Sequence, residues 1–154
     1  MKVEKFKSQA GQTIVEILIV TIIVASVLTA LAASLSMSAK NTAENKKLSM
    51  ATNYSQEALE VFHRERSVLG WESFQSALFD GIYCFDTIPS NSINFLNLAL
   101  GECEESEVIS GTDFIREVEL AVLADEVKVV AVVKWLDAGV SRQATVEQTF
   151  KKIN

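Results

Sequence analysis

The feature that most constrains the fold of this chain is a long uncharged segment near its N-terminus. Ile17–Ala39 is a run of 23 residues without Asp, Glu, Lys or Arg, and its first part consists mostly of Ile, Val, Leu and Ala. A hydrocarbon layer about 30 Å thick is crossed by a helix of roughly 20 apolar residues. This run, called the apolar segment below, is therefore long enough to span a membrane as one helix.

Charge is distributed unevenly around the apolar segment. Lys2, Lys5 and Lys7 precede it, whereas residues 41–154 hold 18 acidic and 10 basic side chains, a net charge of −8. Because short basic segments remain on the cytoplasmic side of a membrane, we expect a cytoplasmic N-terminus and a C-terminal part outside.

Three interpretations fit a basic start followed by an apolar run. One is a cleaved secretory signal, for which Ala30-Leu31-Ala32 would serve as the processing site. Another is an uncleaved single-pass anchor. The third depends on Glu16, because a carboxylate at the start of a membrane segment costs a few kcal/mol and marks a functional site by default.

The residues around Glu16 point to a family. A short basic leader ends at Gly11, Glu16 is the fifth residue after that glycine, and the apolar segment follows directly. This arrangement resembles the type IV pilins and the type II secretion pseudopilins. Two features depart from the usual pattern: Gln12 stands where the family usually has Phe, and the apolar segment contains neither Pro nor Gly.

The resemblance implies a role for each residue of the motif. A prepilin peptidase would cut between Gly11 and Gln12, and Gln12 would then carry the new N-terminus, usually N-methylated. The amine of Gln12 in one subunit would pair with Glu16 of its neighbour and fix the axial register, since both charges need a partner in lipid. Gln56–Glu60, followed by an arginine-containing turn, resembles minor pilins of the PilV type.

The predicted organisation follows the pilin plan. Residues 1–11 are a leader, 12–40 a membrane or filament-core helix, 41–67 its extracytoplasmic continuation, and 68–154 a globular β-rich head. The predicted fold class is α+β, pilin-like, with the long N-terminal helix packed on a small antiparallel sheet.

Hydrophobic periodicity supports that division beyond the membrane. Apolar and small residues recur at helical spacing from Leu48 to Phe62, Glu60 and Arg64 are placed for an i,i+4 ion pair, and Leu69-Gly70 is a stop signal.

A short helix or turn is predicted around Trp71–Leu78, and Ile93–Leu100 fits neither period. The predicted strands are Gly81–Phe85, Phe114–Val122, Val127–Leu136 and Val140–Phe150, the last two joined by a hairpin at Asp137–Gly139. Each alternating strand is expected to have one solvated face, and the middle strand to be covered by the long helix.

The two cysteines lie in the part predicted to be extracytoplasmic, where oxidation is permitted. A Cys84–Cys103 disulfide would pin the least regular stretch of the head. The alternative is two buried free thiols. The spacing is not Cys-x-x-Cys, so a redox site is not predicted.

No set of residues predicts catalysis, a cofactor or a metal site. His63 is the single histidine, so no Ser or Cys has an evident base. The acidic residues Glu102–Glu107 lack EF-hand spacing and are interpreted as a solvated loop, with calcium as the alternative. Lys46-Lys47 and Lys151-Lys152 are too sparse for nucleic acid, which is not an expected partner. Trp71 and Trp135 are interpreted as core residues.

The sequence therefore predicts a structural subunit, of the minor kind, of a type IV pilus or a secretion pseudopilus, and not an enzyme. Its expected partners are other pilin or pseudopilin subunits, a prepilin peptidase, an inner-membrane assembly platform and membrane lipid. It would begin in the membrane and end in a filament at the cell surface or in the periplasm. The alternative is a membrane-anchored or secreted binding domain unrelated to filaments.

Overall fold

The computed structural model describes the backbone of residues 10–152 and the side chains of residues 14–152. In this range the elements are helices α1 (Ala10–Leu69), α2 (Trp71–Ser76) and α3 (Ser92–Leu96), and strands β1 (Gly81–Cys84), β2 (Ile115–Val122), β3 (Glu126–Asp137) and β4 (Val140–Lys151). The chain divides into two compact units, Met1–Asn45 and Lys46–Asn154. The described part of the first unit is helical, and the second contains the rest of α1 and the whole sheet.

Helix α1 is continuous from Ala10 to Leu69, as the absence of a breaker in the sequence predicted. It ends where the sequence placed its stop. Gly70 has φ +72°, a left-handed conformation that glycine adopts without a side-chain clash, and its N–H donates to the carbonyl of Arg66 at 3.2 Å.

The second unit is built on a four-stranded antiparallel sheet in the order β1-β2-β3-β4. Strands β3 and β4 pair without interruption. Asp137 lies opposite Val140 at the turn, and Glu126 lies opposite Lys151 at the far end of the hairpin. Their connection is the two-residue turn Ala138-Gly139, in which both residues have positive φ, 49° and 81°. This is the backbone of a type I′ turn, whose twist matches that of the strands.

The sheet buries one face against the second half of α1. In β3 the side chains of Val127, Val129, Ala131, Val133 and Trp135 are all buried, and those between them are half-exposed, except for the exposed Leu136. The expectation that the middle strand is covered on one side by the long helix is therefore confirmed. Together with the sheet, the helix makes an α+β unit.

Two groups of buried residues form the interior of this unit. The larger joins Phe62 and Leu59 of α1 to Phe74, Phe95 and aliphatic side chains of the sheet. The smaller contains Ala51, Ile109, Phe114, Val133, Trp135 and Ala144. Trp135 is 7% exposed and is a core residue as predicted, whereas Trp71 is half-buried and packs against the edge of the larger group.

The unassigned stretch Ile93–Leu100 contains the short helix α3. Asn91 caps its N-terminus by accepting the Asn94 N–H on its side-chain oxygen at 2.9 Å. Phe95 is buried while Ile93 and Leu96 are exposed. The cap residue Asn91 was the sequence signal that could have indicated this helix. A five-residue helix is too short to show the regular spacing of apolar residues from which longer helices are predicted.

Candidate functional site

The apolar segment lies on α1 with its side chains exposed. The large apolar side chains from Ile14 to Met37 expose between 50% and 71% of their surface. By length and composition, this part of α1 could cross a membrane. Burying an aliphatic side chain of this kind is worth about 1.5 to 3 kcal/mol, so an apolar environment strongly favours this surface.

Four of the six hydroxyl groups within the apolar segment donate to the helix itself. Thr21, Ser26, Thr29 and Ser36 each donate to a carbonyl three or four residues earlier, at 2.8 to 3.1 Å. In hydrocarbon an unpaired polar group would cost several kcal/mol. These internal hydrogen bonds therefore lower the cost of placing those four hydroxyl groups in lipid.

Glu16 is exposed on α1, one residue before the apolar segment. A shallow surface depression is lined by Glu16 together with Val15, Ile19 and Val20. The carboxylate thus shares one face of the helix with aliphatic side chains, and in an apolar environment it would need a cationic partner.

The remaining motif residues are described only in part. Gly11 and Gln12 belong to the backbone of α1, but their side chains lie outside the described residues, as does the whole of residues 1–9. The cleavage between Gly11 and Gln12, and the methylation of Gln12, therefore stay predictions.

In the second unit, a buried arginine connects α1 to the sheet. Arg116 of β2 is 1% exposed, and its guanidinium donates to the carbonyl of Phe85 at 2.8 Å and to that of Tyr54 at 3.2 Å. It also forms an ion pair with Glu57 of α1 at 2.7 Å. Arg116 lies on the covered face of the sheet, where an unpaired charge would be costly. These three acceptors compensate that charge.

The opposite face of the same strand is also partly covered. Glu117 is only 6% exposed, so the prediction that β2 has one fully solvated face is wrong at this position. The carboxylate accepts from the Cys103 N–H at 3.2 Å and pairs with Lys134 at 2.6 Å. The loop of residues 97–114 therefore lies over this part of the sheet.

The predicted disulfide between Cys84 and Cys103 is present. It attaches the 97–114 loop to the end of β1, and the hydrogen bond from Gly101 N–H to the Ile82 carbonyl at 2.8 Å lies beside it. The carboxylate of Glu107 lies within 4.8 Å of both sulfurs. Since the sulfurs are bonded to each other, they are not thiolate ligands for a metal.

The charged residues near the end of α1 differ from their predicted arrangement. Arg64 pairs with Glu65 at 2.8 Å and donates to the Pro89 carbonyl, rather than pairing with Glu60. Glu65 is 1% exposed, which its charged neighbours in the sequence gave no reason to expect. His63 is exposed, and its Nε2 lies 2.8 Å from Gln148 Oε1.

Sequence reasoning missed Arg116 as the link between helix and sheet. The available signal was a lone arginine at an apolar position of an alternating strand, where a buried charge requires buried acceptors. Its acceptors lie 31 to 62 residues away along the chain, so only the tertiary structure identifies them.

Comparison of the chain with known protein families, curated proteins and solved structures finds no match.

Proposed function

We propose that this chain is a pilin-like structural subunit, of the minor kind, of a type IV pilus or secretion pseudopilus. A prepilin peptidase would remove residues 1–11 in the membrane. The mature chain would then assemble with other pilin or pseudopilin subunits through the apolar segment, with the unit beyond it outside the cytoplasm.

The observation that carries the proposal is the position of Glu16. One carboxylate precedes 23 uncharged residues, it is the fifth residue after Gly11, and it shares a helix face with Val15, Ile19 and Val20. A simple anchor has no use for a charge at this place, because a carboxylate in lipid is costly. Pairing with the amine of Gln12 in a neighbouring subunit would remove that cost.

The surface of the apolar segment also favours contact between helices. Ala25, Thr29 and Ala33 follow one another at intervals of four residues and so lie along one side of α1. Small residues at this spacing allow two helices to approach closely, and dispersion contacts can then replace contacts with lipid. The preference for a minor subunit over a major one is based on the PilV-like resemblance and on the absence of Pro and Gly from the segment.

The test is the N-terminus of the chain purified from cells that contain a prepilin peptidase. We expect intact mass and N-terminal sequencing to give a mature chain that begins at Gln12, with a further increment of one methyl group when the amine is methylated. Gly11→Val should leave the chain uncut, because a side chain at that position blocks close approach of the protease to the backbone.

Other N-termini would support other functions. A chain starting near Ala33 would indicate a conventional secretory signal and a secreted domain. An intact Met1 would indicate a single-pass anchor. Either result, obtained alongside normal cutting of a known prepilin in the same cells, would contradict the proposal.

A further inference from the structure

The β3–β4 hairpin has a cleft on one of its sides. The cleft has a volume of about 530 Å3 and lies between the 97–114 loop and the sheet. Its apolar lining is provided by Val108, Ile115, Trp135 and Leu136. Its size is that of a pocket able to enclose a side chain or a short segment.

The charged groups at this cleft leave a net negative site. Lys134 is engaged with Glu117 at 2.6 Å, and Asp113 is 3.6 Å from Lys47. Glu105 is exposed, and it forms no salt bridge with any side chain in residues 14–152. The cleft is therefore suited to an apolar group accompanied by a cation.

The same hairpin carries such a pair of side chains on its other side. Successive side chains of a strand point to opposite faces, and Ser141 is the β4 residue that lines the cleft. Val140 and Arg142 consequently point away from it. Val140 is 56% exposed, and Arg142 is exposed and makes no salt bridge within the described side chains.

We propose that the cleft of one chain receives Val140 and Arg142 of a second copy. Val140 would contact the aliphatic lining, and the Arg142 guanidinium would pair with Glu105. Because the cleft and the inserted residues lie on opposite sides of one hairpin, the contact is heterologous and can repeat from chain to chain. This inference rests on the proposed function, and it names a surface through which neighbouring subunits meet outside the membrane.

Charge reversal in the full-length chain tests the contact. Each variant is expressed in the cells that naturally make the chain, the surface assemblies are sheared off, and the amount of chain recovered in them is measured. We expect Glu105→Arg and Arg142→Glu each to lower the recovered chain at least about tenfold, since each change places like charges together. The two substitutions in one chain should restore recovery. Co-expression of the two single variants should also restore it, because alternating chains again bring opposite charges together.

Glu60→Arg is the matched control, because it reverses an exposed acidic residue on α1, away from the cleft. It should assemble like the wild type, and all variants should reach the membrane in equal amounts. If the single reversals assemble normally, if the double variant stays defective, or if Glu60→Arg is equally defective, the proposed contact is wrong and the cleft has another occupant. In those cases a wild type that assembles still supports the proposed function, whereas a wild type that never assembles contradicts both.

Discussion

Arg116 is the residue that most directly joins the helix to the sheet. Its guanidinium is 1% exposed and has acceptors on α1, at Tyr54 and Glu57, and next to β1, at Phe85. Glu57 is 51% exposed on its side chain, so its ion pair is screened by water, whereas the hydrogen bond to the Phe85 carbonyl is buried. The main contribution of Arg116 is therefore hydrogen bonding to buried backbone.

Replacing this arginine should destabilise the second unit substantially. Arg116→Met keeps most of the apolar stem but leaves the Phe85 carbonyl without the Arg116 donor, removes the additional hydrogen bond to the helical Tyr54 carbonyl, and leaves Glu57 without its cation; we expect a loss of about 3 kcal/mol in the free energy of unfolding. Urea unfolding of the full chain in detergent, followed by tryptophan fluorescence, measures this loss. Trp135 is well placed to report it, because it belongs to the buried group that surrounds Phe114.

Glu57→Gln is the matched comparison for Arg116→Met. It removes the charge of the exposed partner but keeps an acceptor oxygen, and the expected loss is at most about 1 kcal/mol. Equal losses for the two variants would show that the ion pair, not the backbone hydrogen bonds, is the dominant interaction of Arg116.

The 97–114 loop is the element whose conformation depends most on particular links. The Cys84–Cys103 disulfide fixes it to β1, and the Glu117 carboxylate holds the Cys103 N–H. Farther along, Ile109 is buried and donates its backbone N–H to the Phe114 carbonyl at 2.8 Å. Regular pairing is confined to the single bridge between Tyr83 and Leu100 in this part of the described chain, so the covalent link carries much of the constraint.

Removing the disulfide should lower stability without changing the sheet. The two cysteines are 19 residues apart in sequence, and closure of a loop of that length is worth about 3 kcal/mol in the chain-entropy account. We expect the double variant Cys84→Ser, Cys103→Ser to lose about that amount in urea unfolding. A reducing agent should destabilise the wild type by a similar amount and leave the double variant unchanged; a reductant effect on the variant would point to a different cause.

Helix α1 has different surroundings along its length. The described side chains of its first unit expose most of their surface, whereas from Ala51 onward one side of the helix is buried in the second unit. Ala51, Ser55, Ala58 and Phe62 fall on that side at helical spacing, and all four are 0% exposed. One continuous helix therefore combines a lipid-compatible surface with an ordinary amphipathic face.

At the scale of the whole molecule, the proposed function requires that membrane retention and assembly be separable. Glu16→Ala should leave the chain in the membrane, because it removes a charge from the edge of the apolar segment. It should lower recovery in sheared assemblies, because the amine of a neighbouring Gln12 loses its partner. Membrane pelleting after alkaline extraction, together with shearing, measures both properties in one preparation.

The contrasting variant carries Val24→Arg and Leu28→Arg, in the middle of the apolar segment. Each arginine costs about 3 kcal/mol at the centre of a membrane helix, so this chain should be lost from the pellet itself. Normal assembly of Glu16→Ala would contradict the role given to this carboxylate. Its loss from the membrane would mean that Glu16 acts in insertion.

The elements with strong periodicity were predictable from the sequence. Leu69-Gly70 ended α1 where expected, alternation identified β2 and β4, and a nearly continuous β-branched run identified β3, each to within one or two residues. Helix α3 was not predictable, because a single turn held by an Asn91 cap and one buried phenylalanine has no measurable period. The Arg64–Glu65 pair was also missed, since the choice between neighbouring acidic residues depends on what packs against the helix.

The sequence by itself determined the properties that depend on local chemistry. The uncharged length of Ile17–Ala39, the position of Glu16 after Gly11 and the hairpin connection predicted at Asp137–Gly139 all follow from neighbouring residues. Only the tertiary structure decided which distant groups meet: Arg116 with Tyr54 and Phe85, and the two sides of the β3–β4 hairpin. The physical reason is that periodicity and turn preferences act over a few residues, whereas a buried charge or a cleft depends on groups that the folded chain brings together from far apart.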